Sequence, residues 1–187
     1  SDGLDVQISD PDVWVSQVQG PKSMELLEKL TNTETVKTWK YFDWLEVEIA
    51  KEKMIISRTG FTNELGWEIY FRPENNSEKV GDLILNEGKK LGMILVATPG
   101  FRCRRIEAGL LSAGQDFSKY TNPFSVGLGK FIDFDKENFI GKNALSKADK
   151  TCFSWGIRVE EGIAIKGEIV NSNGKEVGKI TSSTWSP

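Results

Sequence analysis

Apolar and polar residues alternate with a period of two over residues 4–8, 13–18, 43–49, 53–58 and 66–72. These stretches are rich in β-branched and aromatic side chains, and the pattern predicts strands. Between them the period lengthens. Met24, Leu27 and Leu30, with Leu26 beside them, predict a helix over 21–31 that Pro21 opens. Val80, Leu83, Ile84 and Leu91 form one stripe over 76–91, with Asn75 as the expected cap, Glu78 as its capping-box partner and Gly92 as the stop. Thr98 and Pro99 start a further helix over 99–108 that Gly109 ends, and a short one over 141–148 follows Phe139-Ile140-Gly141. After about residue 150 only strand-like runs remain, at 152–159, 166–170 and 176–182, divided by Gly, Asn and Lys. The expected architecture is therefore α+β: a mixed region over 1–150, then a β region over 151–187 too short to close a barrel or bury two sheet faces unaided. Both ends fall within a patterned stretch, and the first residue is Ser1. The chain is expected to be a piece of a longer one.

Composition narrows the chemistry. The 187 residues include 24 Lys and Arg, 27 Asp and Glu, no His and two Cys, for a formal charge of −3. Without His there is no Ser-His-Asp or Cys-His relay, no His-ligated metal and no imidazole base. The acidic balance offers phosphate backbones no general attraction, so nucleic acid is not an expected partner. Cys103 and Cys152 are far apart and form no CxxC, which excludes a zinc ribbon and reads as two free thiols in a reducing compartment. The longest apolar runs, such as Met93–Ala97, fall far short of the roughly 20 residues of a membrane helix, and no signal-like segment is present. A cytoplasmic location is the expectation.

The densest chemistry lies between Arg58 and Tyr70, in the run RTGFTNELGWEIY. In a strand starting at Gly66, alternation puts Trp67 and Ile69 on one face and Glu68, Tyr70 and Arg72 on the other. A carboxylate among Trp, Ile, Tyr and Phe needs donors, from Arg58 or from a ligand, because each unpaired buried polar group costs about 1–3 kcal/mol. A solvated or Arg-paired strand residue is the plain alternative. Arg102, Arg104 and Arg105 crowd one and a half helical turns with Glu107, which either makes a charged surface pairing Arg104 with Glu107 or receives an anionic tail. Gly127-Leu128-Gly129-Lys130 lacks the spacing of a phosphate loop.

Taken in order, VQGPKS at 18–23, RTGFTNELGWEIY at 58–70, RRIEAGLLSAGQDF at 104–117, TNPFSVGLGKFIDF at 121–134 and FIGKNAL at 139–145 resemble the glycine cleavage T-protein family. That family includes aminomethyltransferases, folate-binding portions of sarcosine and dimethylglycine dehydrogenases, and dimethylsulfoniopropionate demethylase. The resemblance implies a folate-binding T-protein-like domain over 1–150, incomplete at its N-terminus, followed over 151–187 by the first strands of a C-terminal β-barrel. It implies tetrahydrofolate as the cofactor. The Glu with which the family recognises the pterin falls on Glu68, and a pterin edge of adjacent N–H and amino donors would suit a carboxylate. Tyr70, on the same face, is placed to contact the ring. Phe61 and Arg105 follow as further cofactor-binding candidates, Arg105 as support for the site.

Two departures matter. The Arg of the family's A-R-D triplet is replaced by Phe101, which, with Asn122-Pro123-Phe124 and the Glu68–Tyr70 run, leans toward the demethylase-like subtype. The family's catalytic Asp belongs to a region this chain lacks, and Asp116 is explained equally by a turn or capping role. The resemblance thus implies a one-carbon transferase that moves a methyl or methylene group from a small amine or sulfonium donor to tetrahydrofolate. A lipoyl carrier protein is the partner if the donor is aminomethyl, and neither a metal nor a membrane is involved. The isolated chain is expected to be inactive. The alternative is a non-catalytic folate-binding scaffold of the same fold, against which stands the absence, from LLSAGQDF, of the Cys those members carry.

Overall fold

The computed structural model describes residues 3–31 and 38–186. The chain divides into two compact units, Ser1–Ala97 and Thr98–Pro187.

In the first unit, strands β1 (Trp14–Gln19), β2 (Trp44–Ile49), β3 (Glu52–Ser57) and β4 (Gly66–Phe71) form an antiparallel sheet in the order β1-β4-β3-β2. Helices α1 (Ser23–Thr31) and α2 (Ser77–Lys90) cover one of its faces. The core follows from the two periods meeting. Met54, Ile56, Trp67, Ile69 and Phe71 point from the sheet toward Leu26 and Leu27 of α1 and Val80 and Ile84 of α2, and all are buried. The register pairs Glu68 with Gln17 of β1 and with Ser57 of β3, and Tyr70 with Val15 and Ile55. Cross-strand partners share a face, so these residues make up the side of the sheet away from the helices.

Several expected boundaries shift. The α1 helix begins at Ser23, with Pro21 in the turn before it. Asn76, not Asn75, caps α2 by accepting from the Lys79 N–H. Asn75 is spent one step earlier: its carbonyl accepts from the Arg72 N–H and its amide donates to the Lys53 carbonyl, closing the turn after β4. The alternating run at 4–8 is not a strand. Leu4, Val6 and Ile8 are exposed, and among the described residues no strand pairs with them, so alternation has no ladder to join.

The second unit carries α3 (Thr98–Glu107), 3-10 turns at Phe124–Val126 and Gly129–Phe131, α4 (Lys142–Ser146), and a hairpin of β5 (Ile169–Ser172) and β6 (Lys175–Lys179). The strands expected at 166–170 and 176–182 thus become one hairpin closed at Asn173-Gly174. The run at 152–159 is not a strand. Phe153, Trp155, Ile157 and Val159 keep its alternation but stand exposed. Only Arg105 and Ile180 are buried among the described residues of this unit.

Candidate functional site

The motif at 18–23 positions β4. Gly20 N–H donates to the Leu65 carbonyl at 2.7 Å, the Ser23 hydroxyl donates to the same carbonyl at 2.9 Å, and the Trp67 indole N–H donates to the Ser23 carbonyl at 2.9 Å. These bonds fix where β4 begins, so Trp67 enters the core and Glu68 faces away from it. Trp67 is fully buried.

On the other face Glu68 and Tyr70 are half-buried and joined by two hydroxyls. Thr59 Oγ1 donates to Glu68 Oε2, Ser57 Oγ bonds Thr59 Oγ1, and Tyr70 OH lies 3.1 Å from Ser57 Oγ. Among the described residues no donor meets the other carboxylate oxygen, Oε1. Arg58 is not the donor: its guanidinium stands 6.0 Å over the Tyr41 ring. The sequence reading missed Thr59 and Ser57. Thr59 lies within the quoted run, but its meeting with Glu68 depends on the β3–β4 register, which spacing alone does not give.

The loop between β3 and β4 is fastened to β1 by Gln19. Its amide donates to the Thr59 carbonyl at 3.1 Å and its carbonyl accepts from Thr62 Oγ1 at 2.9 Å. Gly60 and Gly66 lie directly against this side chain, where a Cβ at either would come within 2.3–2.5 Å of Gln19 atoms. Phe61, half-buried in the same loop, donates its N–H to Gln17 Oε1 at 3.4 Å. The structure thus gathers Glu68, Tyr70 and Phe61 on and beside one sheet face.

Arg105 belongs to the second unit and is 4 % exposed. Its Nη1 donates to Asp116 Oδ2 and the Leu110 carbonyl, both at 2.9 Å, and its Nη2 donates to Gln115 Oε1 and Ser182 Oγ, both at 3.1 Å. Asp116 also accepts from the Ser112 N–H and from Thr181 Oγ1, both at 2.8 Å. Burial is the largest influence on the Asp116 carboxyl and raises its pKa, but bonds from Ser182, the Ser112 N–H, Thr181 and Arg105 together outweigh it and hold the pKa below the ordinary value. The helix arginines do not converge on one anion. Arg104 pairs with Glu107 at 2.9 Å on the surface, Arg105 is spent inside, and Arg102 lines a cavity of about 490 Å³ with Lys166 and Cys103.

Residues 2–136 match the family model described as the GCVT N-terminal domain. The aminomethyltransferase of Halothermothrix orenii is 33% identical over 174 residues, covering 91% of this chain and 48% of that protein. That of Aquifex aeolicus is 40% identical over 179 residues, covering 91% of this chain and 45% of its own. The chain spans about half the length of the curated relatives it matches. Among solved structures, the glycine cleavage system aminomethyltransferase T from Bartonella henselae aligns with a TM-score of 0.73 at 21% identity, over 91% of this chain and 47% of that one, a likeness of fold. With the family model matched across more than half its length, the chain belongs to the GCVT N-terminal domain family.

Proposed function

We propose that this chain provides the pterin-binding face of a tetrahydrofolate-dependent one-carbon transferase. One observation carries the reading: a half-buried carboxylate, pinned at Oε2 by Thr59, with no donor on Oε1 among the described residues. Such an oxygen fits a ligand edge of adjacent N–H groups, because a charge-assisted bond of this kind contributes about 1.5–3 kcal/mol. Tyr70 extends the same face, and Phe61 borders it as an apolar edge. Arg105 contributes by holding α3 and the 110–116 loop in place. Tetrahydrofolate, when bound, supplies the nitrogen nucleophile that takes up the one-carbon unit. The residues of this chain orient and desolvate it.

Every relative named above is an aminomethyltransferase, which supports an aminomethyl donor carried by a lipoyl protein. Phe101, where the family's Arg is expected, supports instead a methyl donor of the sulfonium type. The donors are separated by product, a methylene carried by tetrahydrofolate in the first case and a methyl in the second.

Calorimetric titration with tetrahydrofolate tests the reading. Wild-type chain is expected to bind saturably, and Glu68→Gln to weaken binding by about 1.5–3 kcal/mol. Unchanged affinity in a folded Glu68→Gln chain removes Glu68 from the site.

A further inference from the structure

The hydroxyls beneath Glu68 have a direction that follows from counting protons. A carboxylate only accepts, so the single proton of Thr59 Oγ1 goes to Glu68 Oε2. Thr59 then has none for Ser57, and the Ser57–Thr59 bond must use the Ser57 proton. Ser57 in turn has none for Tyr70, so the phenol donates inward, to Ser57 Oγ at 3.1 Å. Protons run one way, Tyr70 to Ser57 to Thr59 to Glu68. The outward lone pairs of the Tyr70 oxygen and of Glu68 Oε1 are consequently both acceptors. Tyr70 and Glu68 are two residues apart along β4, on one face, with their Cα atoms roughly 6–7 Å apart along the strand.

We propose that Thr59 and Ser57 are specificity-determining residues, whose hydroxyls polarise this face so that it presents acceptors only and selects a heteroaromatic ligand rich in N–H donors. The ligand class rests on the folate reading above, whereas the polarity does not. Without the Thr59 hydroxyl, Ser57 loses its acceptor and turns its proton toward Tyr70. The phenol then becomes an outward donor, and Glu68 loses the bond that sets its rotamer. A donor-rich edge then meets a donor, and a site built to pair N–H groups no longer rejects the analogue that lacks them.

Two readouts on the 187-residue chain test this, using Thr59→Val, Thr59→Ser and wild type. The first needs no ligand: the ¹³Cζ signals of the three tyrosines report whether each phenol donates, and Tyr70→Phe assigns the relevant one. The Tyr70 signal is expected to move in Thr59→Val and to stay in Thr59→Ser. The second compares tetrahydrofolate with its 2-desamino analogue. A wild-type preference of about tenfold or more is expected to fall to about two- to threefold in Thr59→Val and to survive in Thr59→Ser. A Tyr70 signal unmoved by Thr59→Val, or an unchanged preference, overturns the proposal. If the signal moves as expected but wild type binds no tetrahydrofolate, the folate reading fails and the polarised face stands.

Discussion

Trp67 and Glu68 are adjacent in the chain and opposite in role. The indole is fully buried and donates to the Ser23 carbonyl, while the carboxylate faces away from the helices and accepts from Thr59. Truncating the ring leaves a void and removes the indole's bond to that carbonyl. Trp67→Ala is expected to cost about 3–5 kcal/mol, read as a drop in the denaturant midpoint. Intact stability with lost tetrahydrofolate binding would move Trp67 from the core to the site. This division of labour is legible in the sequence, since period-two alternation separates Trp67 and Ile69 from Glu68 and Tyr70. Thr59, Ser57 and Gln19 are not legible in that way. Each acts across a strand boundary, and a single chain records who its neighbours are along the sequence, not across the sheet.

At the scale of elements, the two hairpins are closed by opposite kinds of sequence. Asn173 and Gly174 both have positive φ, 51° and 74°, and Asn-Gly is the pair such a turn favours. The β2–β3 hairpin is closed by Ala50 and Lys51, also at positive φ, 55° and 67°, without either residue type. A side chain there costs about 1–2 kcal/mol, partly offset by the looser unfolded chain that glycine brings. The double substitution Ala50→Asn with Lys51→Gly is expected to stabilise the first unit by about 0.5–1 kcal/mol in chemical denaturation. A loss of stability would mean that Ala50 or Lys51 contributes contacts that outweigh its strain. The flanking strands were legible from alternation although this turn was not. The converse holds at 4–8 and 152–159, where the alternation is present and no strand forms. Pattern fixes which face a strand would bury, but a strand exists only when a partner supplies the ladder.

At the scale of the whole chain, the second unit is held less by an apolar core than by the Arg105–Asp116 ion pair, whose side chains are 4 % and 6 % exposed. Asp116 and Arg105 tie α3 to the 110–116 loop and to residues 181–182. The folded Asp116 pKa lies below its unfolded one, so this stabilisation is present in full above the ordinary carboxylate pKa and drains away as pH falls through the folded value. Hydrogen exchange of the α3 amides is expected to show steady protection at neutral pH and declining protection below about pH 4. Asp116→Asn should flatten that acid limb and, by leaving Arg105 buried without its counter-charge, cost about 3–5 kcal/mol at neutral pH. An unaltered acid limb would assign the loss to another carboxylate. The arginine cluster on the helix marked Arg105 and the family motif marked Asp116, but neither signal says that they are each other's partners.

The Gln19 clamp also bears on how the chain can drift over generations. A Cβ on Gly66 would meet the Val18 carbonyl oxygen at 2.5 Å as well as Gln19, and backbone does not step aside. The three atoms nearest a Cβ on Gly60 all belong to the Gln19 side chain, at 2.3–2.5 Å. Position 66 is therefore closed to substitution in any background, whereas position 60 opens once residue 19 becomes small. Substitutions at 19 and 60 are thus coupled: a side chain at 60 pushes the Gln19 amide aside and gives up the loop's anchor, a loss that a shorter residue 19 has already incurred.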